Sequence, residues 1–379
     1  MARRGENIYR RKDGRWEGRY IKGRRPDGKP RFGSVYGRSY SEAKNKLIPL
    51  KAAHFEVGAE GRSTAPFREH LLAHLAQKGA SHIKASSLSS YHRIVHNHLL
   101  PGLGTYPAHQ LTPGHVTRFL DGLRGSGLSG GTVLNIFRFL AGVTKQAARS
   151  GAMAGDVCEG ISLPRPKRKK VSALSRGQQE AVEKAALAAI RGSGSALGLD
   201  VMIALNTGMR VGEICALRWG DVDLESGVIH VSHTLQRLSL YGQGAKAGPQ
   251  TAIVMDAPKS EASERDIPVN ALLLRLLRAK RQRAGGEFVM EGRRGPVEPR
   301  VLQYRFGKLL EQARLPHFGY HALRHSFATR CAELHVDTAT ISRLLGHSSV
   351  RTAEETYVHS LMEQRFKAVY KLDELALAA

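Results

Sequence analysis

The most constraining stretch of this chain runs from His321 to Tyr357 and reads HALRHSFATRCAELHVDTATISRLLGHSSVRTAEETY. Leu323, Phe327, Cys331 and Leu334 recur at helical spacing, which predicts a helix buried along that stripe. His321 and Arg324 are three apart in it and leave from one face. Asp337 is placed to cap a second helix with apolar positions Ile341, Leu344 and Leu345. Gly346 suits the left-handed residue that ends such a helix, so His347 is expected to emerge from a fixed terminus. Ser348 or Ser349 can cap a short third helix, with Tyr357 at its far end.

His321, Arg324, His347 and Tyr357 offer a cation, two imidazoles and a phenol, with no carboxylate partner and no metal-ligand spacing. A guanidinium binds a phosphate through two parallel hydrogen bonds. A phenol becomes a nucleophile when nearby positive charge lowers its pKa from about 10. Together they suggest phosphoryl transfer through a phosphotyrosine. The order and spacing, His321-Ala-Leu-Arg324, then Leu345-Gly346-His347, then Tyr357, resemble the tyrosine recombinases or phage-type integrases. That family's signature is an HxxR box, an LGH and a Tyr about ten residues further on.

Charge points the same way. The chain has 58 Lys and Arg against 33 Asp and Glu, a formal net charge of +25 over 379 residues. Such a field favours a polyanionic partner, nucleic acid before any other. A hydrophobic content of 41% implies folded domains with cores rather than a DNA-packaging tail. No apolar run approaches the roughly 18 residues of a membrane span, and no secretory signal follows Met1. Cys158, Cys215 and Cys331 are odd in number and far apart, which fits reduced core residues in a cytoplasmic protein.

Residues 1–52 form a basic module, with thirteen Lys and Arg against four Asp and Glu over positions 1–40. Ile8–Arg11 and Arg15–Lys22 read as strands around a Lys12-Asp13-Gly14 turn, and Arg31–Tyr36 as a third. Ser41 is expected to cap the helix that follows. Trp16, Tyr20, Phe32 and Tyr36 would supply a small core, with Arg10, Arg15, Arg19 and Arg31 at the surface for DNA. A three-stranded sheet backed by a helix can lie in a major groove. The module resembles the arm-type DNA-binding domains of conjugative-transposon and lambda-like integrases.

A linker is expected from 53 to about 64. Four helices then follow: Pro66–Gln77, Ser87–Leu99, Pro113–Gly125 and Ser129–Ser150, with Pro101, Gly102 and Gly104 breaking the chain after the second. This bundle, 65–163, resembles the family's core-binding domain. His70/His74 and His92/His96 have the i, i+4 spacing of metal ligands. Neither pair carries the glutamate of a zincin motif, and surface or DNA-facing histidines are the better reading. The run Leu163-Pro-Arg-Pro-Lys167-Arg168-Lys169-Lys170 looks like a domain boundary whose cations grip phosphate backbone.

The catalytic domain is expected over 171–379. In Asn206-Thr-Gly-Met-Arg210-Val-Gly-Glu213, Thr207 or Gly208 can open a helix and leave Arg210 in its first turn, facing an anion. Asp221 and Asp223 read as a helix-to-strand turn rather than a metal pair. Thr251–Met255 and Arg265–Val269 look like paired strands, with Lys259 at the hairpin between them. Residues 232–250 suggest a mobile DNA-facing loop. The stretch Leu361–Leu375 can form a last helix, which in this family often docks on a neighbouring protomer and which could equally pack on its own domain.

The resemblance covers nearly the whole chain, most strongly over 200–360. It implies an α+β protein, mainly α with small β-sheets, and a site-specific recombinase of double-stranded attachment sites, most like integrases of phages or conjugative transposons. By position in the family's boxes it assigns Arg210, Lys259, His321, Arg324, His347 and Tyr357 as catalytic, with Lys246 as the alternative to Lys259 and Glu213 as a supporting acid. It implies a homotetramer in the synaptic complex, room for an excisionase or DNA-bending partner, and no ATP, metal or other cofactor. The rival readings are a chromosome-dimer-resolving recombinase, a type IB topoisomerase and a DNA-binding regulator with a dead site.

Overall fold

The computed structural model describes residues 7–24, 30–55, 65–81, 83–164, 173–193, 198–240, 250–257, 261–292 and 295–346. They are mainly helical with small antiparallel sheets, the α+β class expected from the sequence. The chain parts into two compact units between Arg168 and Lys169. No described helix is long and apolar enough to cross a membrane.

In the first unit β1 (Ile8–Arg10), β2 (Trp16–Arg24) and β3 (Pro30–Gly37) pair antiparallel in chain order, and α1 (Tyr40–Phe55) follows. Cross-strand partners share a face, and the register aligns Ile8 with Gly18 and Gly18 with Val35. That face, with Trp16 and Tyr20, packs on Tyr40, Ala43 and Leu47 of α1. Two aromatics expected in this core are outside it, Phe32 54% and Tyr36 41% exposed. The period-two alternation of a strand turns Tyr36 away from its partly buried neighbour Val35, which packs on the core. Ser39, not Ser41, caps α1, its Oγ accepting from the Glu42 N–H at 3.1 Å. The helix also runs past the expected end of the module, and residues 56–64 lie outside the described residues.

The bundle comprises α2 (Phe67–Ala80), α3 (Ala85–Ile94), α4 (Leu100–Leu103), α5 (Pro113–Gly125) and α6 (Gly130–Arg149). Phe67, Leu71, Val95, Leu99, Leu120, Ile136 and Leu140 form its centre. The chain does not break at Pro101. A π-helical turn over Val95–Leu99 joins α3 to α4 and puts Pro101 in the first turn of α4. A proline there forfeits no bond that the short helix could make. The histidine pairs behave unalike. His74 is buried, against the surface reading; its Nδ1 lies 2.5 Å from Gln146 Oε1 and its ring stands edge-on to Phe139. His92 and His96 stack in parallel at 5.9 Å.

The second unit is built around α8 (Leu199–Thr207), of which every residue but Asn206 is buried. It packs on α7 (Arg176–Ser193), α9 (Val211–Ala216), α10 (Ala271–Arg281) and α12 (His321–Glu333). The strands are β4 (Val222–Asp223), β5 (Val228–Val231), β6 (Thr234–Leu240), β7 (Gln250–Asp256) and β8 (Arg265–Pro268), with a further short pair, Glu291–Gly292 and Gly295–Pro296. The expected hairpin between Thr251–Met255 and Arg265–Val269 does not form. β7 pairs with β6, while β8 pairs with β5 in a sheet ordered β4-β5-β8. Alternation explains the choice: β8 turns Ile267 onto the core beside Ile229 of β5. Of the loop expected over 232–250, Thr234–Leu240 forms β6 and Gln250 opens β7, while residues 241–249 lie outside the described residues. Asp223 does close a turn, accepting from the N–H of Glu225 and of Ser226.

After α11 (Pro299–Gln312) come α12 and α13 (Thr338–Leu345). The expected stripe of α12 fails at its end: Leu334 is 76% exposed, because His335 turns left-handed (φ 63°) and swings the chain away. Ala328, Ala332, Ile341 and Leu345 join the two helices instead. Asp337 caps α13 as expected, its Oδ1 accepting from the Thr340 N–H at 2.8 Å.

Candidate active site

Two glycines bring the boxes around Arg210, Arg324 and Leu345 into contact. Gly208 ends α8 and Gly346 ends α13, both left-handed at φ 65° and 63°. Left-handed backbone costs any residue with a Cβ, and a Cβ at Gly208 would also lie 2.5 Å from Phe327 and 2.6 Å from Leu345. The α8 terminus can therefore press against both α12 and α13.

At that junction the last carbonyls of α13 have no partner within their own helix. Three arginines from three other elements take them in succession. Arg265 of β8 donates Nε to the Leu344 carbonyl at 2.6 Å. Arg324 of α12 donates Nη2 to the Leu345 carbonyl at 2.6 Å and Nη1 to the Gly208 carbonyl at 2.7 Å. Arg210, at the start of α9, donates Nη2 to the Gly346 carbonyl at 3.1 Å. Cations at a helix C-terminus also oppose the negative end of its dipole.

Glu213 ties two of these arginines together. Its carboxylate accepts from Arg210 Nη1 at 2.7 Å and from the Arg210 N–H at 2.9 Å. On its other side it accepts from Arg265 Nη2 at 3.0 Å. Burial pushes the Glu213 pKa up, but attraction to Arg265, hydrogen bonding from it and then attraction to Arg210 outweigh that and hold it below the usual carboxylate range. Thr207 and Gly208 thus end one helix rather than opening the next, and Arg210 is the cap of α9 rather than part of its first turn. Its backbone N–H, which the sequence reading left for an anion, belongs to Glu213.

His321 and Arg324 both stand in the first turn of α12, yet differ in exposure. Arg324 is buried and His321 is exposed. The His321 pKa is pushed down to about 4, first by the protein packed around the ring, then by His325, Arg324 and Arg210. Solvent reaching the exposed ring weakens the first of these; the repulsion from cationic neighbours keeps the direction downward. At neutral pH the ring is neutral. His325, also shifted down by burial and then Arg324, stands edge-on to it with centroids 4.7 Å apart.

The structure thus brings Arg210, Arg324 and the Leu345-Gly346 start of the LGH box together, with His321 at the start of α12. Lys259, its alternative Lys246, His347 and Tyr357 lie outside the described residues, as do Lys167, Arg168, Lys169 and Lys170. Arg265 was missed as a site residue. Its signal was in the alternation: a strand that turns Ile267 onto the core must turn Arg265 inward too, and a buried cation needs a buried anion. Among the described residues no group of three or more His, Cys, Asp or Glu is placed to hold a metal ion.

On the basic sheet, the face away from α1 carries Tyr9, Glu17, Arg19, Ser34 and Tyr36. Arg11 and Arg15 both lie over the Tyr36 ring, at 5.6 and 5.3 Å, and Arg19 lies over Tyr9 at 5.4 Å. Beneath them Glu17 is covered by these side chains rather than by a core. Burial raises its pKa, but hydrogen bonds from Ser34, Arg19, Tyr9 and Arg11 bring it down to about 2. Arg10 is exposed but belongs to the opposite face, aligned with Trp16, and Arg31 is exposed on β3. Arg11 is the member of this fan that the sequence reading passed over.

Comparison with known proteins agrees with the architecture. Residues 173–364 match the model of the Phage integrase family. A tyrosine recombinase XerC-like protein of Caldanaerobacter subterraneus subsp. tengcongensis is 26% identical over 279 residues, 69% of this chain and 70% of that one. Tyrosine recombinase XerC of Xanthomonas campestris pv. campestris is 33% identical over 159 residues, 41% of each chain. Among solved structures, the Tn1549 transposon integrase superposes with a TM-score of 0.66 at 21% identity, over 81% of this chain and 99% of that one. A lambda integrase shares the fold at a TM-score of 0.60 and 20% identity, over 94% and 96%. This chain belongs to the phage integrase family, the tyrosine recombinases, enzymes that cut and rejoin DNA.

Proposed function

We propose that this chain is the integrase of a mobile element, recombining attachment sites through a 3′-phosphotyrosine. The observation that carries the reading is the convergence of Arg210 and Arg324 on the carbonyls of Leu345 and Gly346, the end of the helix that leads into His347. Two guanidiniums fixed so close together can hold the nonbridging oxygens of one phosphate and meet the charge of its transition state. Tyr357 attacks phosphorus, the bond to the 5′-oxygen breaks, and a 3′-phosphotyrosine forms. The leaving oxygen takes a proton from Lys259 and becomes a free 5′-hydroxyl. His321, neutral at working pH, assists proton transfer at the phenol, and His347 hydrogen-bonds the phosphate. The phosphotyrosine bond keeps the energy of the phosphodiester, so rejoining needs no ATP.

Relatives of this fold support the DNA partner and the assembly. The Tn1549 integrase has been seen with circular intermediate DNA, and lambda integrase as a tetramer on a Holliday junction. By analogy this chain acts as a homotetramer at synapsis, with its domains at 1–52, 65–163 and 171–379 dividing arm binding, core binding and catalysis. It works in the cytoplasm on nucleoid DNA, and an excisionase or bending protein sets direction. The XerC relatives favour a second reading, resolution of chromosome dimers. The basic sheet with its arginine–tyrosine fan weighs for the integrase.

The test uses a nicked duplex carrying the junction of joined host and element DNA, boiled in detergent after reaction. A covalent protein–DNA species is expected with wild type, unchanged by a strong chelator, and none with Tyr357→Phe. Absence of the species, or its loss in chelator with recovery on adding magnesium, would overturn the reading. Deleting residues 1–55 is expected to leave this cleavage intact while removing footprints at sites distant from the crossover. Those footprints should also fade steeply with salt, because counterions return to the phosphates. A footprint unchanged by the deletion favours the dimer-resolution reading.

A further inference from the structure

Arg265 lies outside the residue set assigned by the family's boxes, yet it forms a buried ion pair in the site. Its side chain is 6% exposed and that of Glu213 is 3% exposed. It opens β8, and its guanidinium faces two ways. Nη2 and Nη1 reach the Glu213 carboxylate at 3.0 and 3.4 Å, while Nε reaches the Leu344 carbonyl at 2.6 Å. Nη1 also donates to the Ser263 carbonyl at 2.9 Å, in the turn that precedes β8.

These contacts join three short segments. α9 has six residues, α13 has eight, and the turn over Glu261–Ser263 is a single 3-10 turn. Gly346 has no side chain to wedge the α13 end in place, and a Cβ there would meet Arg265 Nη1 at 3.0 Å. A planar fork with fixed donor directions can set distances among three acceptors, whereas a point charge on a flexible stem cannot.

We propose that Arg265 is a positioning residue of the recombination centre, clamping Glu213 to the α13 terminus so that Arg210 and Arg324 stay in register with each other. Arg265 itself does not reach the phosphate. It acts through Glu213, which sets the Arg210 guanidinium from one side while the Gly346 carbonyl sets it from the other. Arg324 is fixed to the same helix end by the Leu345 carbonyl. Removing Arg265 lets α9 and α13 shift against each other, and the two phosphate-binding arginines lose their common frame. This inference rests on the phosphate-binding roles given to Arg210 and Arg324 above.

The experiment is single-turnover cleavage of the nicked junction duplex by the full chain at saturating protein. Arg265→Ala is expected to form the covalent species roughly 10–100-fold more slowly, the range seen when a partner that orients a site's ligand is removed, with binding to the duplex unchanged. Guanidinium ion at low millimolar concentration should restore the rate saturably, and urea at the same concentration should not. Guanidinium at this concentration is far too dilute to denature, so a variant whose defect is misfolding would show no saturable recovery. Arg265→Lys keeps the charge, fills the site if the alanine variant folds poorly, and is expected to fall between wild type and Arg265→Ala. A wild-type rate for either variant, or a slowed Arg265→Ala that guanidinium does not recover, overturns the proposal. A wild-type protein that forms no covalent species would instead remove the recombinase reading itself, so the two failures are distinct.

Discussion

Arg324→Ala is expected to lower the rate of covalent complex formation by at least about 10³-fold, beyond the loss of a single transition-state hydrogen-bond donor. The excess has a structural origin. Arg324 is buried and its two Nη groups satisfy the carbonyls of Gly208 and Leu345 at 2.7 and 2.6 Å. Deleting the side chain removes the proposed phosphate ligand and strands two buried acceptors at the junction of α8, α12 and α13. Each stranded group costs roughly 1–3 kcal/mol, so a lower melting temperature should accompany the lost activity. Arg324→Lys separates the two effects. One ammonium cannot span both carbonyls and a phosphate, so cleavage should stay slow even where the lysine variant melts near wild type. Single-turnover adduct formation and a thermal melt on both variants check this; a lysine variant with wild-type cleavage would show that charge alone suffices.

Lys259→Ala is expected to slow cleavage of ordinary DNA by about 10²–10⁴-fold, the usual contribution of a general acid. An alcohol is nearly as poor a leaving group as hydroxide, the anion of a far weaker acid than any thiol. It needs a proton as the P–O bond breaks. A thiol leaves as its anion, with a pKa near ~8.5. DNA with sulfur at the 5′-bridging position of the scissile phosphate should therefore restore much of the rate to Lys259→Ala. Tyr357→Phe should stay inactive on both substrates, because it lacks the nucleophile and not the acid. Should sulfur give Lys259→Ala no benefit while binding holds, the lysine positions the phosphate, and Lys246 becomes the residue to test as the acid.

How far the sequence carried the reading depended on the range of each interaction. Asp337 as the cap of α13 and Gly346 as its left-handed end are decided within four residues, by a side-chain oxygen and by the absence of a Cβ, and both are visible in the letters alone. The Ser39 cap of α1 was misplaced by two residues because two serines compete there and only the chain's path chooses between them. Spacing placed His321, Arg324, His347 and Tyr357 in order by resemblance to a family, which sequence preserves because chemistry fixes residue type. Strand pairing was a different matter. β7 and β8 are neighbours in the chain and both alternate well, so a local reading joined them. Which strand takes which partner depends on the apolar face each presents to a core assembled from distant segments, and Ile229 settled it for β8. For the same reason Arg265 could be seen only once the fold was known. A cation on the inward face of a strand is a liability until Glu213 and the carbonyl of Leu344, far away in the sequence, arrive to meet it.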